Sequence, residues 1–97
     1  MRISSRSRYS CPEVREKLKL LLVNEGFYVH QHAYDYLVMF DEKIVCTIHL
    51  LPLIRKVQVV HYTLNPSSKE HLAKIIDIIK MLDREVEVEI KKSPREM

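Results

Sequence analysis

The chain has little of several features that mark large classes of protein. It has one glycine, two cysteines and no tryptophan in 97 residues, so it lacks the glycine-rich loops that hold phosphates in nucleotide-binding folds. No apolar run approaches the ~20 residues that span a bilayer, which predicts no membrane partner. The first ten residues carry charge without an apolar segment, unlike a secretory signal. We therefore expect one small cytoplasmic domain.

The cysteine, asparagine and glutamine content bears on where the protein works and on its source. Cys11 and Cys46 are far apart and lack metal-binding spacing, so we expect reduced thiols in the cytosol. No serine or cysteine nucleophile motif and no CxxC is present, which weakens most enzyme classes. Asparagine and glutamine are scarce beside abundant Lys, Glu, Ile and Val, a composition that predicts a thermophilic source.

Acidic residues are missing from the first ten positions, which hold Arg2, Arg6 and Arg8. The formal net charge is +3, so the excess lies in this arm and the remainder is neutral. A basic arm on a neutral body favours phosphate contacts, although an ordinary solvated tail has the same composition. We predict a flexible arm over residues 1–9, a globular domain over 10–92 and a tail over 93–97.

Hydrophobic periodicity predicts the elements between the arm and the tail. Ser10 and Glu13 form a capping box, opening a helix that runs to about Asn24 and ends before Gly26. Strands are predicted over residues 27–33, 36–40, 44–51 and 57–63, a helix over 67–82 and a last strand over 85–90. Surplus apolar residues on the second helix, Ile78 and Met81, suggest a dimer contact. The predicted fold class is single-domain α/β, a mixed β-sheet flanked by helices in the order α-β-β-β-(β)-α-β.

Residues 26–51 contain the main candidate site. Asp35 stands at the start of the second strand, between tyrosines, and looks buried. It either binds a metal or caps a turn, and the turn is the more common role for Asp at such a junction. Any chemical site should lie where Asp35 meets the strand over 44–51.

Histidines and tyrosines offer further candidates. Two or three imidazoles on one sheet face could bind zinc or nickel, but their spacing matches no known ligand signature, and strand histidines more often form hydrogen bonds at surfaces. The tyrosines could stack on bases or pack the sheet, and packing is the more common role. The residues are His30, His32, His49, His61 and His71, with Tyr28, Tyr34, Tyr36 and Tyr62.

The layout resembles the archaeal Holliday-junction resolvase branch of the PD-(D/E)xK nuclease superfamily. Glu13 and Glu16 match the acidic start of that family's first helix, and Gly26-Phe27-Tyr28-Val29 matches its turn into the first strand. Asp35 matches the metal-binding Asp, and residues 67–82 and 86–91 match the closing helix and strand. The resemblance spans most of residues 10–92 and implies a restriction-endonuclease-like core, DNA as the partner, and Mg²⁺ or Mn²⁺ as cofactor only if the site is functional.

The sequence departs from this family at the Glu-x-Lys motif. Counting from Asp35, that position falls on Ile48-His49-Leu50, or one residue later on His49-Leu50-Leu51. The family's Glu is a hard oxygen ligand for Mg²⁺, and its Lys stabilises charge developing on the phosphate. At most, His49 is a poor substitute. We therefore predict that metal-dependent phosphodiester cleavage has been lost.

Two functions follow. The first is a catalytically inactive nuclease-fold protein that binds DNA, including branched DNA, or partners an active resolvase. Its phosphate contacts would come from Arg2, Arg6, Arg8, Lys17, Lys19, Arg55 and Lys56. The alternative is a small homodimeric protein-interaction module with no nucleic-acid role. A double-stranded RNA-binding domain ranks third because that family's glycines are missing, and a tRNA-splicing endonuclease relative lacks a placeable catalytic trio.

Overall fold

The computed structural model describes residues 6–62 and 67–93. Within these residues, two helices, α1 and α2, accompany five strands in one sheet of order β1-β2-β3-β4-β5. All neighbouring strands are antiparallel except β4 and β5, which are parallel. The elements are α1 (Pro12–Asn24), β1 (Tyr28–His32), β2 (Asp35–Phe40), β3 (Lys43–Leu51), β4 (Lys56–His61), α2 (Ser68–Leu82) and β5 (Glu87–Lys92), with single 3₁₀ turns at Arg8–Ser10 and Pro52–Ile54. The predicted single-domain α/β class with a mixed sheet is confirmed.

Both helices pack on the same face of the sheet. A parallel pair needs a crossover, and α2 supplies it between β4 and β5. Lys74 of α2 lies 3.3 Å from the carboxylate of Glu25 at the end of α1, while Tyr36 of β2 donates a hydrogen bond to the carbonyl of Arg15 in α1 at 2.7 Å. The fold therefore has two layers, and no described element covers the other face of the sheet, which we call the open face.

Apolar side chains from both layers form one core. Alternate strand residues point towards the helices, as period-two geometry requires. A fully buried Leu, Ile or Val stabilises the fold by roughly 1.5–3 kcal/mol relative to an exposed one. Fully buried residues include Leu18 and Leu22 of α1, Ile75 and Ile79 of α2, and Val38, Ile48, Val57 and Val59 of the sheet.

The two ends of α1 compare differently with the prediction. The predicted capping box is wrong: the N-cap is Cys11, without a side-chain hydrogen bond, because Ser10 belongs to the preceding 3₁₀ turn and donates to the carbonyl of Ser7 at 2.8 Å. The C-terminal end has Gly26 at φ 100°, as predicted for a cap. The Gly26 amide donates to the carbonyl of Val23 and the next amide to that of Leu22, the paired bonds of a Schellman motif.

The packed part of the chain begins earlier than predicted. We expected a flexible arm through residue 9, but Tyr9 is fully buried and donates to the carbonyl of Ile79 at 2.8 Å. The Ser7 amide donates to the carbonyl of Pro52 at 3.0 Å. At the other end, Ser93 is buried and its amide bonds to the carbonyl of His61, so the tail also begins later than predicted. Arg2, residue 63 of the predicted fourth strand and residues 94–97 lie outside the described residues.

The second helix exposes fewer apolar side chains than we predicted. Ile78 is buried within the chain, whereas Met81 is 62% exposed. Because a single exposed methionine is an ordinary surface feature, α2 offers little apolar area for a dimer contact.

Candidate nucleic-acid interface

Asp35 lies where the sequence places it along the chain but not at the depth we predicted. It opens β2 directly opposite His49 of β3, and its Oδ1 is 3.0 Å from His49 Nδ1. The prediction that Asp35 is buried is wrong, since its side chain is 62% exposed. The reason is strand alternation: Tyr36 and Val38 face the core, so Asp35 stands on the open face.

A chain of hydrogen bonds runs from Asp35 through His49 to Thr47, whose Oγ1 is 3.1 Å from His49 Nε2. In the neutral imidazole, Nδ1 donates to Asp35 and Nε2 accepts from the threonine hydroxyl. This order of hydroxyl, imidazole and carboxylate is also that of a nucleophilic triad. However, β2 and β3 are interior strands whose amides are engaged in the sheet ladder, so no donor pair is left there to stabilise an oxyanion.

The acidic residues of α1 are not brought to Asp35. Glu13 and Glu16 lie on α1, which packs on the opposite side of the sheet, and Glu13 accepts a hydrogen bond from Cys11 Sγ at 3.1 Å. Of the four predicted catalytic candidates, only Asp35 and His49 meet. In the described parts of the chain, no three His, Cys, Asp or Glu side chains converge as metal donors.

The other histidines and tyrosines take separate positions. His30 and His32 share the open face with His49, whereas His61 is buried. His71 packs between the rings of Phe27 and Phe40, with centroid distances of 5.4 and 4.3 Å. Among the tyrosines, Tyr36 is buried, while Tyr28 and Tyr34 are exposed, and the Arg15 guanidinium lies 4.3 Å from the centre of the Tyr34 ring.

Four arginines line a cleft at the end of the molecule where the N-terminal segment, the β3–β4 connection and the α2–β5 connection meet. The cleft has a volume of about 670 Å³, and we call it the arginine cleft. Its four guanidinium groups face two carboxylates, which leaves an excess of two positive charges. The lining residues are Arg6, Arg8, Arg55, Met81, Leu82, Asp83, Arg84 and Glu85.

Asp83 holds two walls of the arginine cleft together. Its Oδ2 accepts hydrogen bonds from Ser7 Oγ at 2.5 Å and from the Arg8 amide at 2.9 Å, and its Oδ1 accepts from the Glu85 amide at 3.2 Å. Burial alone would raise the pKa of the Asp83 carboxyl, but these three hydrogen bonds and the Arg8 charge outweigh it and leave the pKa below its usual value. Asp83 is thus a charged, satisfied anchor.

Arg55 forms the third wall. It ends the Pro52–Ile54 turn with φ 54°, a left-handed conformation that redirects the chain into β4. Its carbonyl accepts from the Glu87 amide at 2.9 Å, and its guanidinium lies 3.2 Å from the Glu85 carboxylate. These contacts fix Arg55 beside the α2–β5 connection.

The predicted phosphate contacts divide into two groups. Arg6, Arg8 and Arg55 come together in the cleft, although they are far apart in the sequence. Lys17 and Lys19 lie on α1, and Lys56 lies on the open face, 3.5 Å from Glu89. Sequence reasoning missed Arg84 and Asp83. The sequence did contain one signal for Asp83. A negative side chain just after a helix is repelled by the partial negative charge of the helix C-terminus, so an aspartate at this position indicates a compensating contact.

Comparisons with known proteins give no family for this chain. No protein-family model matches it, and searches of curated proteins and of solved structures return no match. The resemblance to resolvases therefore rests on its own residues and element order. In the two described stretches, no helix is long and apolar enough to cross a bilayer.

Proposed function

We propose that this protein binds DNA through its phosphate backbone, using the arginine cleft, and does not cleave it. The observation that carries the proposal is the convergence of Arg6, Arg8, Arg55 and Arg84 on one cleft. Guanidinium groups present a planar fork that matches phosphate oxygens in two-bond geometry. The four guanidinium groups outnumber the two carboxylates of the cleft, and this excess of two positive charges attracts phosphate.

The surroundings of Asp35 support binding without cleavage. Its cross-strand neighbour on β3 is His49, and the place of the nuclease family's Glu-x-Lys falls on Ile48-His49-Leu50 or on His49-Leu50-Leu51. An imidazole replaces a hard oxygen ligand poorly for Mg²⁺, and leucine cannot stabilise charge on a phosphate. We propose that the chain descends from a resolvase-like nuclease and now binds branched or duplex DNA, alone or beside an active resolvase.

A pair of charge-matched double variants tests the binding site. Arg8→Gln with Arg84→Gln removes two charges from the cleft, and Lys17→Gln with Lys19→Gln removes two charges from α1. We expect the arginine pair to weaken binding to a labelled duplex and a four-way junction at least about tenfold and to lower the salt slope by about two. The lysine pair should stay within about threefold of the wild type.

Fluorescence anisotropy between about 50 and 200 mM salt measures both quantities, with circular dichroism confirming that each variant is folded. Equal losses in the two pairs would show general electrostatic attraction and would contradict a cleft site. Wild-type affinity that does not change with salt would contradict phosphate binding altogether.

The absence of cleavage has its own test. Incubation with four-way-junction and plasmid DNA plus Mg²⁺ or Mn²⁺ should leave the DNA intact. Cleavage that Asp35→Asn abolishes would show a working metal site and would overturn this half of the proposal.

A further inference from the structure

The open face has an apolar centre and charged margins. Its central row of cross-strand neighbours has Leu37, Thr47 and Val60 in the middle, between His30 and Lys91 at the ends. Met39 extends the apolar area along β2, and all four middle residues are half-buried rather than fully exposed. A sheet face that stays in water is usually polar throughout, so this pattern is typical of a face that is covered.

A second row on the open face is polar, and four of its five members form two hydrogen-bonded pairs. It comprises His32, Asp35, His49, Gln58 and Glu89, one from each strand. Asp35 bonds to His49 at 3.0 Å, Gln58 donates to Glu89 at 3.2 Å, and Lys56 lies 3.5 Å from Glu89. Covering a polar group costs little when its hydrogen bonds are already made within the chain.

The charge distribution on this face argues against nucleic acid as the covering partner. The face carries three carboxylates, from Asp35, Glu87 and Glu89, against two ammonium groups, from Lys56 and Lys91, so it has no positive excess to attract phosphates. The acids are instead placed unevenly, with both glutamates on the β5 edge and both exposed histidines, His30 and His32, on the β1 edge. A complementary partner must therefore carry its imidazoles over the β5 edge and its carboxylates over the β1 edge.

We propose that the open face is the interface of a homodimer whose twofold axis runs parallel to β3, above Thr47. Rotation about that axis places β1 of one copy over β5 of the second and β2 over β4, so His32 meets the second copy's Glu89 and Leu37 meets the second copy's Val60. Each contact occurs twice, as an isologous interface requires. The same rotation places His30 against the second copy's Lys91, where the neutral imidazole accepts a hydrogen bond from the ammonium group.

The size of the face fits this occupant. Five strands ~4.8 Å apart and about six residues long give a flat area of about 480 Å², before the relief of the side chains is counted. A standard interface covers ~800 Å² of accessible surface per partner, and two facing sheets pack at about 10 Å in a layered arrangement. A domain this small also gains from covering its second face, because one layer of helices leaves much apolar area in water.

Two matched substitutions test the interface by sedimentation velocity over a range of protein concentrations. Val60→Glu places a charge at the centre of the open face, whereas Val23→Glu places the same charge at an exposed valine of α1. The wild type and Val23→Glu should sediment as dimers, and Val60→Glu as a folded monomer. A monomeric wild type at every concentration, or a Val60→Glu variant that dimerises like the wild type, would overturn the proposal.

A charge exchange tests the geometry even if Val60→Glu fails to fold. His32→Glu and Glu89→Lys each put like or unmatched charges across the axis and should weaken self-association at least about tenfold. An equimolar mixture of the two variants should recover dimers, because the carboxylate introduced at position 32 of one chain then meets the ammonium group introduced at position 89 of the other. No recovery in the mixture would contradict the proposed axis. If instead the wild type is monomeric and Val60→Glu loses DNA binding, the face is a nucleic-acid surface and the dimer proposal fails.

Discussion

Two aspartates, Asp35 and Asp83, occupy opposite kinds of environment. Asp35 sits among strands and tyrosines in the part of the sequence where we predicted a buried site, yet its side chain is 62% exposed and bonds to His49. Asp83 sits in a charged segment after a helix, yet it is 5% exposed and accepts three hydrogen bonds. Burial of a carboxylate is thus decided by which distant segments meet at it. Here, the N-terminal segment meets the α2–β5 connection.

The largest expected effect is the loss of the Asp83 anchor. Asp83→Ala leaves Ser7 Oγ and two amides, those of Arg8 and Glu85, without their acceptor, and buried donors without partners are costly. We expect the free energy of unfolding to fall by about 3 kcal/mol, measured by urea denaturation. Asp77→Ala, at an exposed aspartate of α2, is the matched control and should change it by less than about 0.5 kcal/mol. Equal effects would show that Asp83 is not an anchor.

Lowering the pH should gradually remove the stabilisation that the ionised Asp83 carboxylate gives to the fold. The pKa of Asp83 is lowered in the folded protein, so its ionised form stabilises the fold above the unfolded-state pKa of about 3.9, and this is lost as the pH falls through the folded value. The difference in unfolding free energy between the wild type and Asp83→Asn should be constant from neutral pH to about pH 5 and shrink below about pH 4. A difference that persists unchanged to about pH 2 would contradict a charged anchor.

Tyr9 offers a smaller test of the N-terminal segment. Its hydroxyl donates to the carbonyl of Ile79 in the core, and burial raises the pKa of this phenol, so the group stays protonated at any ordinary pH. Tyr9→Phe should lower the free energy of unfolding by about 1 kcal/mol. Tyr34→Phe keeps the ring beneath Arg15 and should leave thermal stability unchanged. A destabilised Tyr34→Phe with an unaffected Tyr9→Phe would reverse our account of which tyrosine supports the fold.

The smallest change in stability is expected for the removal of the Asp35 carboxylate. Asp35→Ala removes one exposed bond to His49, and exposed pairs contribute about 0–1 kcal/mol. We expect a change below about 0.5 kcal/mol in urea denaturation. A loss as large as that of Asp83→Ala would show that Asp35 is itself a structural anchor and would contradict the contrast between the two aspartates.

The elements could be predicted from the sequence because their local patterns are strong. The alternation at residues 85–90 and the apolar stripe of α2 specify a strand and a helix within two residues of their observed bounds. The meeting of Asp35 with the third strand was predicted, but its exact partner was not: counting back from the Phe40–Lys43 pair gives Ile48, and a β-bulge between Val38 and Met39 moves the pairing to His49. In contrast, the capping box at Ser10 fails because that side chain bonds backwards to Ser7, a choice that depends on the tertiary position of the first turn.

The candidate site was only partly predictable. The charge excess near the N-terminus pointed to Arg6 and Arg8, and Arg55 was recognised as a basic residue in a connection. Arg84 was missed because it stands between Asp83 and Glu85, which makes the segment look acidic. Only the fold shows that Arg6, Arg8, Arg55 and Arg84 line one cleft with two carboxylates, which gives the cleft its positive excess.

An NMR titration of the isotopically labelled protein with duplex DNA tests the central claim most directly, because it compares the arginine cleft and the open face in one experiment. The account predicts that backbone amide shifts change first at Arg8, Arg55 and residues 82–85, and that amides of the open face around Thr47 stay constant. Shift changes centred on Thr47, Gln58 and Tyr28, with the cleft unaffected, would contradict it.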